Sequence, residues 1–218
     1  MVILYTYNNG VYINLKDVDI TKKELSRKNI YVNLTNNCPC SCTFCLRNTK
    51  EMAESNSLWL DIEPTAKEVI EEFEKYDLTQ FNEIIFCGFG EPLTRLNDLL
   101  EVAKYLKNRS SNNLIRINTN GLADLVNKKE TATLFKDLIN TVSISLNASN
   151  AQEYLRLTRS KFGIESYDAM LKFTISCKRY VPNVVMTVVD CIGQEEIDAC
   201  QVVCDTIGVP LRVRTFEF

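Results

Sequence analysis

Ile30-Tyr-Val-Asn-Leu-Thr35, an apolar, β-prone run, leads through Asn36-Asn37 into Cys38-Pro-Cys-Ser-Cys42-Thr-Phe-Cys45. A strand therefore opens directly onto a loop of thiols. The spacing is C-x3-C-x2-C, with Cys40 inside it. Three thiolates this close on a loop suit a soft metal centre. Iron–sulfur cubes usually take four cysteines, so three leave one iron open to another ligand. Two other readings use the same residues. Cys40 can serve as a fourth ligand for zinc, or the cysteines can simply pack. Zinc sites usually draw on two separated knuckles, and the chain has no second C-x2-C pair and no histidine.

Working outward, the chain alternates strand and helix. Strands are predicted near 30–35, 83–87, 114–119, 141–146, 183–190 and 211–216. Helices are predicted near 64–76, 96–107, 130–138, 166–180 and 194–207. Pro64 suits a helix first turn, and Gly208 with Pro210 suits a helix end. Such alternation makes an α/β fold with a parallel sheet. Six strands are too few for a closed eight-stranded barrel, so the expectation is a partial (β/α)6 TIM-type barrel. Ahead of it, Val2–Lys16 alternates around Asn9-Gly10, the pattern of a hairpin with a type I′ turn. The reading is one domain over 1–218, with 1–29 as hairpin and lead-in and 30–218 as the barrel.

The strands carry more polar groups than a packed barrel interior needs. Arg116, Asn118 and Asn120 share one face; Ser143, Ser145 and Asn147 share another; so do Arg212 and Arg214. The apolar faces are expected under the helices and the polar ones inward. Buried donors and acceptors cost about 1–3 kcal/mol each if unsatisfied. Either a polar ligand at the carboxyl ends of the strands or an internal network with water answers that cost. Gly88-Phe-Gly90-Glu91-Pro92 follows the second strand, where glycines let a ligand approach backbone and a carboxylate accepts from an ammonium.

Taken in order, these motifs resemble the radical SAM enzymes. The C-x3-C-x2-C loop with Phe44 before its last cysteine matches that family's signature. Gly88-Phe-Gly90-Glu91 is similar to its "GGE" stretch, with Phe89 standing between the glycines. Asn118-Thr-Asn120-Gly121 resembles its "TNG". The resemblance implies that Cys38, Cys42 and Cys45 hold a [4Fe–4S] cluster. It also implies S-adenosylmethionine cleaved to a 5′-deoxyadenosyl radical that takes hydrogen from a substrate. Phe44, Gly88, Gly90, Glu91, Asn120, Ser145, Asn147 and Arg159 become its contacts, with Arg156 competing for the carboxylate. No catalytic residue is implied beyond cluster and cofactor. A flavodoxin or ferredoxin-type reductant is implied, and a single cluster. Leu146-Asn-Ala-Ser-Asn, Glu153-Tyr through Gly163 and Thr187-Val-Val-Asp190 look most like the TatD family-associated radical SAM proteins, whose substrate is unassigned.

Composition narrows the rest. The net charge is −3 without a basic run, so nucleic acid is not indicated. The N-terminus lacks a basic leader and no stretch reaches membrane-span length. With nine cysteines, a reducing compartment, the cytoplasm, is expected. Without histidine, any acid or base must be Glu, Asp, Lys, Tyr or Cys. Arg47 and Lys50 are candidates to lower thiol pKa values. Asp190, Arg212 and Arg214 suit either ligand contacts or an interior ion pair. Cys200 and Cys204, one helical turn apart, read as a buried face before a redox pair. The rival function is a non-catalytic zinc- or iron–sulfur-binding module. A barrel hydrolase lacks a nucleophile motif.

Overall fold

The structure is a computed structural model describing residues 2–8, 10–18, 28–52 and 57–216. Its elements in chain order are β1 (Leu4–Asn8), β2 (Val11–Asn14), β3 (Ile30–Val32), α1 (Leu46–Thr49), α2 (Ala66–Phe73), β4 (Ile84–Phe86), α3 (Leu96–Arg109) and β5 (Ile115–Thr119). There follow α4 (Ala123–Asn127), β6 (Thr141–Ser145), α5 (Ala151–Thr158), α6 (Glu165–Cys177), β7 (Asn183–Val189), α7 (Gln194–Ile207) and β8 (Leu211–Arg214). Two compact units result, one of residues 1–37 with 52–117, the other of 38–51 with 118–218.

In the first unit, β1 pairs antiparallel with β2 and β3, so the hairpin is an edge addition. Gly10 takes φ +84°, as a tight hairpin requires; its neighbour Asn9 lies outside the described residues. β3, β4 and β5 are parallel, with Val32 opposite Phe86 and Phe86 opposite Ile117. The buried Tyr5 donates to the Cys87 carbonyl at 3.1 Å and stacks on Tyr31. β3 ends at Val32, three residues earlier than expected. Beyond it side chains take over the pairing: Asn33 donates to the Leu58 carbonyl at 2.7 Å, and Asn36 to that of Leu60 at 2.7 Å.

Thr65 and Glu68 form a capping box at the start of α2, which puts Pro64 just outside the helix and not in its first turn. Ala66, Val69 and Phe73 form the buried face of α2; α3 buries Leu99, Val102, Ala103 and Leu106. Arg109, in the last turn of α3, donates to the carbonyls of Phe73 (2.9 Å) and Tyr76 (2.7 Å). It thereby satisfies the exposed acceptors at the end of α2. Arg109→Ala is expected to cost about 1 kcal/mol, because the side chain is largely exposed. A thermal melt should fall by about 2–4 °C for a chain of this size.

In the second unit, β6, β7 and β8 are parallel, with Ser145 opposite Thr187 and Thr187 opposite Arg212. The helix expected over 130–138 is only a 3₁₀ turn at Ala132–Phe135, and helix forms earlier, in α4. Lys128, in the left-handed region at φ 53°, ends α4, and Asp124 holds the backbone and hydroxyl of Thr131 at 2.9 and 2.7 Å. That local bond competes with helix, as Thr and Asp often do. α7 spans the expected residues and stops at Gly208, φ 65°. Val213 departs from the expected pattern, being 47% exposed instead of packed under a helix. Among the described residues, no helix is long and apolar enough to cross a membrane.

Candidate functional site

The cysteine loop belongs to the second unit, and its backbone is fastened to the end of α5. Ser41 donates to the Thr158 carbonyl and Thr43 to that of Leu157, both at 2.9 Å, while Lys161 donates to the carbonyl of Pro39 at 2.9 Å. The last carbonyls of a helix have no partner within it, so α5 offers free acceptors there. Arg159 caps the helix with φ 48°, which turns the chain back toward Lys161.

Within the loop the Cys40 thiol is in hydrogen-bonding reach of Cys38 and of Cys42, and its one proton can form a hydrogen bond to either. That bond is the main influence lowering the thiol of Cys38, to about 6, with burial opposing it and the Cys40 backbone, Arg47 and Asn120 helping. Cys42 is lowered by the same donor, against burial. Cys40 moves far up, because ionising it would remove the proton facing Cys38 and Cys42 and place a further charge beside them in a buried position. Arg47 Nε donates to Cys45 Sγ at 3.4 Å and its Nη2 to the Cys40 carbonyl at 3.4 Å. The charge of Arg47 helps to lower Cys38 and Cys42. Thiolates are the ligand form, so a loop that favours them suits a soft metal. Among the described residues no group of three His, Cys, Asp or Glu side chains stands ready for a metal ion. Thiolates of a cube bind different irons and need not converge on one point.

Asn120 joins this group. Its Oδ1 accepts from Leu122 N at 3.0 Å, which turns Nδ2 toward Cys38 Sγ and Cys40 Sγ, 3.8 Å from each. Gly121, at φ 77°, has no room for a side chain: a Cβ would lie 2.7 Å from Met170 and 2.9 Å from Ile144. Asn118 contributes a buried Oδ1 with no hydrogen-bond partner. Asn147 is buried and held at φ 62°, a conformation asparagine tolerates better than most residues. Ser145 is half-buried, as is Phe44. Arg156 is spent on Glu153, bonding both carboxylate oxygens. Arg159 is exposed and makes its structural contribution through its backbone. Asp190 accepts from Phe216 N at 2.9 Å, tying the segment after β8 to the end of β7.

Gly88, Gly90 and Glu91 belong to the first unit. A Cβ on Gly88 would meet Asn33 Oδ1 at 2.1 Å, and one on Gly90 would meet the Thr35 carbonyl oxygen at 2.3 Å. Protein therefore fills the space that each missing side chain leaves. Glu91 is buried, and its Oε1 caps the following turn by accepting from Leu93 N at 3.1 Å. Arg116, read as part of a polar strand face, is ion-paired to Glu83 at 2.7 Å. Cys200 and Cys204 are fully buried, and burial raises their thiols to about 12 and about 11.

Two residues went unnoticed in the sequence. Glu63 and Arg95 hold the segment just before Cys38 by a set of short bonds. The capping box at Thr65 marks a helix start one residue beyond Pro64, but nothing local points Glu63 to partners 28 positions earlier.

The family model described as "Radical SAM superfamily" matches residues 32–201, most of the chain. The chain belongs to the radical SAM superfamily. It is therefore an enzyme whose substrate remains to be assigned. The dual-specificity RNA methyltransferase RlmN of Buchnera aphidicola subsp. Schizaphis graminum (strain Sg) is 26% identical over 159 residues, 66% of this chain and 40% of that protein. SuiB of Streptococcus suis, solved bound to S-adenosylmethionine, is similar at TM-score 0.61 and 16% identity, over 85% of this chain and 38% of SuiB. Methylornithine synthase (PylB) is similar at TM-score 0.60 and 16% identity, over 86% of this chain and 53% of that one. The radical SAM chain thus spans well under half the length of RlmN and SuiB. The solved neighbours show its fold: α/β with mostly parallel strands, of the partial TIM-barrel type.

Proposed function

We propose that this protein holds a [4Fe–4S] cluster on Cys38, Cys42 and Cys45, cleaves S-adenosylmethionine reductively, and abstracts hydrogen from a substrate still to be identified. The observation that carries this reading is the cysteine loop. Its four cysteines lie within eight positions, its backbone is fastened to α5, and Arg47 and Asn120 donate toward its sulfurs. Once bound, the cluster supplies the electron that splits the sulfonium. The chain's own residues bind and orient. Arg47 and Asn120 donate toward sulfur and offset the negative charge there.

Ser145 and Asn147 are suited to ribose hydroxyls, Arg159 to the methionine carboxylate, and Phe44 to a flanking contact. Gly88, Gly90 and Glu91 keep the role on the amino group that the family resemblance assigns them. The reading includes one core domain over 30–218 behind a lead-in over 1–29. It also includes a flavodoxin or ferredoxin-type reductant, a cytoplasmic location, and kinship with the TatD family-associated members.

The test is anaerobic reconstitution with iron and sulfide. The expected product is a brown protein with about four irons per chain, whose reduced-state paramagnetic signal shifts on adding S-adenosylmethionine. Addition of dithionite should then release 5′-deoxyadenosine. A colourless protein that binds one zinc, or a loaded protein that leaves S-adenosylmethionine intact, would overturn the proposal.

A further inference from the structure

We infer that Glu63 and Arg95 are a positioning pair for the cysteine loop, fixing the chain at the three residues before Cys38. This inference rests on the proposed cluster reading for its functional meaning, though its geometry stands within the first unit alone. β3 ends at Val32, and after one further backbone bond, from Asn33 N to the Ile3 carbonyl at 2.8 Å, residues 34–37 lie beyond the strand. A single carboxylate replaces the ladder. Glu63 Oε1 accepts from the Thr35 hydroxyl (2.5 Å), the Asn36 amide (2.9 Å) and Asn37 Nδ2 (3.0 Å). Thr35 Oγ1 in turn accepts from the Asn37 amide at 2.9 Å. The other oxygen, Oε2, takes Arg95 Nη1 at 3.0 Å.

Arg95 is itself fixed from several sides. Its Nε donates to Asp98 at 2.9 Å and its Nη2 to the Pro64 carbonyl at 3.0 Å, beside Glu63. Its Nη1 also reaches the Leu34 carbonyl at 3.4 Å. Asn36 closes the arrangement with a two-way bond to Leu60, donating to its carbonyl at 2.7 Å and accepting from its amide at 3.1 Å. The strand-like partner and the carboxylate therefore come from one stretch, residues 58–63. The Asn37 carbonyl accepts from Glu91 N at 2.8 Å, so the same short segment is also tied to the turn after Gly90. Five residues with every direction of movement opposed are more than a strand end needs. They lie immediately before the first cluster cysteine, and a loop of three ligands must keep its thiols within a narrow range to grip a cube. Groups that orient ligands from behind are worth about 10–100-fold in metal affinity.

The test compares Glu63→Ala, Glu63→Gln and Arg109→Ala after reconstitution of the full chain. Glutamine keeps an oxygen for Thr35, Asn36 and Asn37 but turns an NH2 donor toward Arg95; alanine removes both partners. Arg109→Ala, on the far end of α2 from Glu63, supplies a stability loss without touching the segment. Glu63→Ala should release iron to a chelator about tenfold faster than the parent, with Glu63→Gln intermediate because it loses Arg95 alone and Arg109→Ala unchanged. Equal release from Glu63→Ala and the parent would overturn the inference, as would equal loss from Arg109→Ala. The iron-free protein gives a second reading. Amide exchange over residues 35–42 should quicken about tenfold in Glu63→Ala, less in Glu63→Gln and not in Arg109→Ala. If the parent itself takes up no cluster, the functional proposal fails. Unchanged exchange in Glu63→Ala would then overturn the positioning role by itself.

Discussion

Cys42→Ser is expected to leave the reconstituted protein almost without iron, where the parent is expected to hold about four per chain. Cys42 is the middle of the three proposed ligands, and its thiol already receives a hydrogen bond from Cys40. Serine offers a hard oxygen with a far higher pKa, so it is a poor ligand for iron in a sulfide cube. Two remaining cysteines do not hold a cube against loss. Cys40→Ser is the informative partner. A serine hydroxyl keeps a proton to donate within the loop while removing the fourth sulfur. Iron content should therefore stay near the parent value. Iron analysis after gel filtration under nitrogen reads both outcomes. Equal loss in the two variants would make Cys40 a ligand and undo the assignment of Cys38, Cys42 and Cys45.

Gly90→Ala should lower the melting temperature by about 10 °C, the equivalent of about 3 kcal/mol for a chain of this size. The added carbon would lie 2.3 Å from the Thr35 carbonyl oxygen, 2.7 Å from its carbon and 2.8 Å from the Asn37 oxygen. All three atoms are backbone, so no side chain can swing aside. The segment that would have to move is the one Glu63 and Arg95 fix, which leaves little relief. Gly163→Ala is the comparison. A Cβ there meets nothing within 4 Å, and only its φ of +69° resists the change. It should cost about 1 kcal/mol, or roughly 3 °C. A Gly90→Ala protein melting within about 3 °C of the parent would mean that this approach of two backbones is not as close as described.

Both experiments bear on what the chain reveals before it folds. The cysteine spacing, the Asn-Gly turn at Gly10 and the glycine stop at Gly208 are local features, and they were legible because each depends on a few neighbouring residues. The alternation of strand and helix was legible for the same reason, since periodicity lies in the covalent order. Element limits were less so. β3 stops at Val32 because Asn33 and Asn36 find partners at Leu58 and Leu60, and the helix expected near 130 gives way to the Asp124–Thr131 bond. Those competitors are distant or depend on side-chain direction.

The candidate site divides the same way. Sequence by itself determined that four thiols are grouped, because residues within eight positions are near one another in any fold; which three of them ligate is what the family resemblance implies. It also determined the fold class, through the order of strands and helices. Only the tertiary structure decided what surrounds the thiols. The placing of Cys40, Asn120 turned toward sulfur, and α5 carbonyls gripping Ser41 and Thr43 all depend on the loop's conformation and on elements about 80 to 120 positions away. It alone explained the glycines, whose missing side chains make room for Asn33 and Thr35, and it alone brought Glu63 to the segment before Cys38. Hydrogen bonds are short-ranged and directional, so a pattern along the chain announces which groups need partners but not which partners folding will supply.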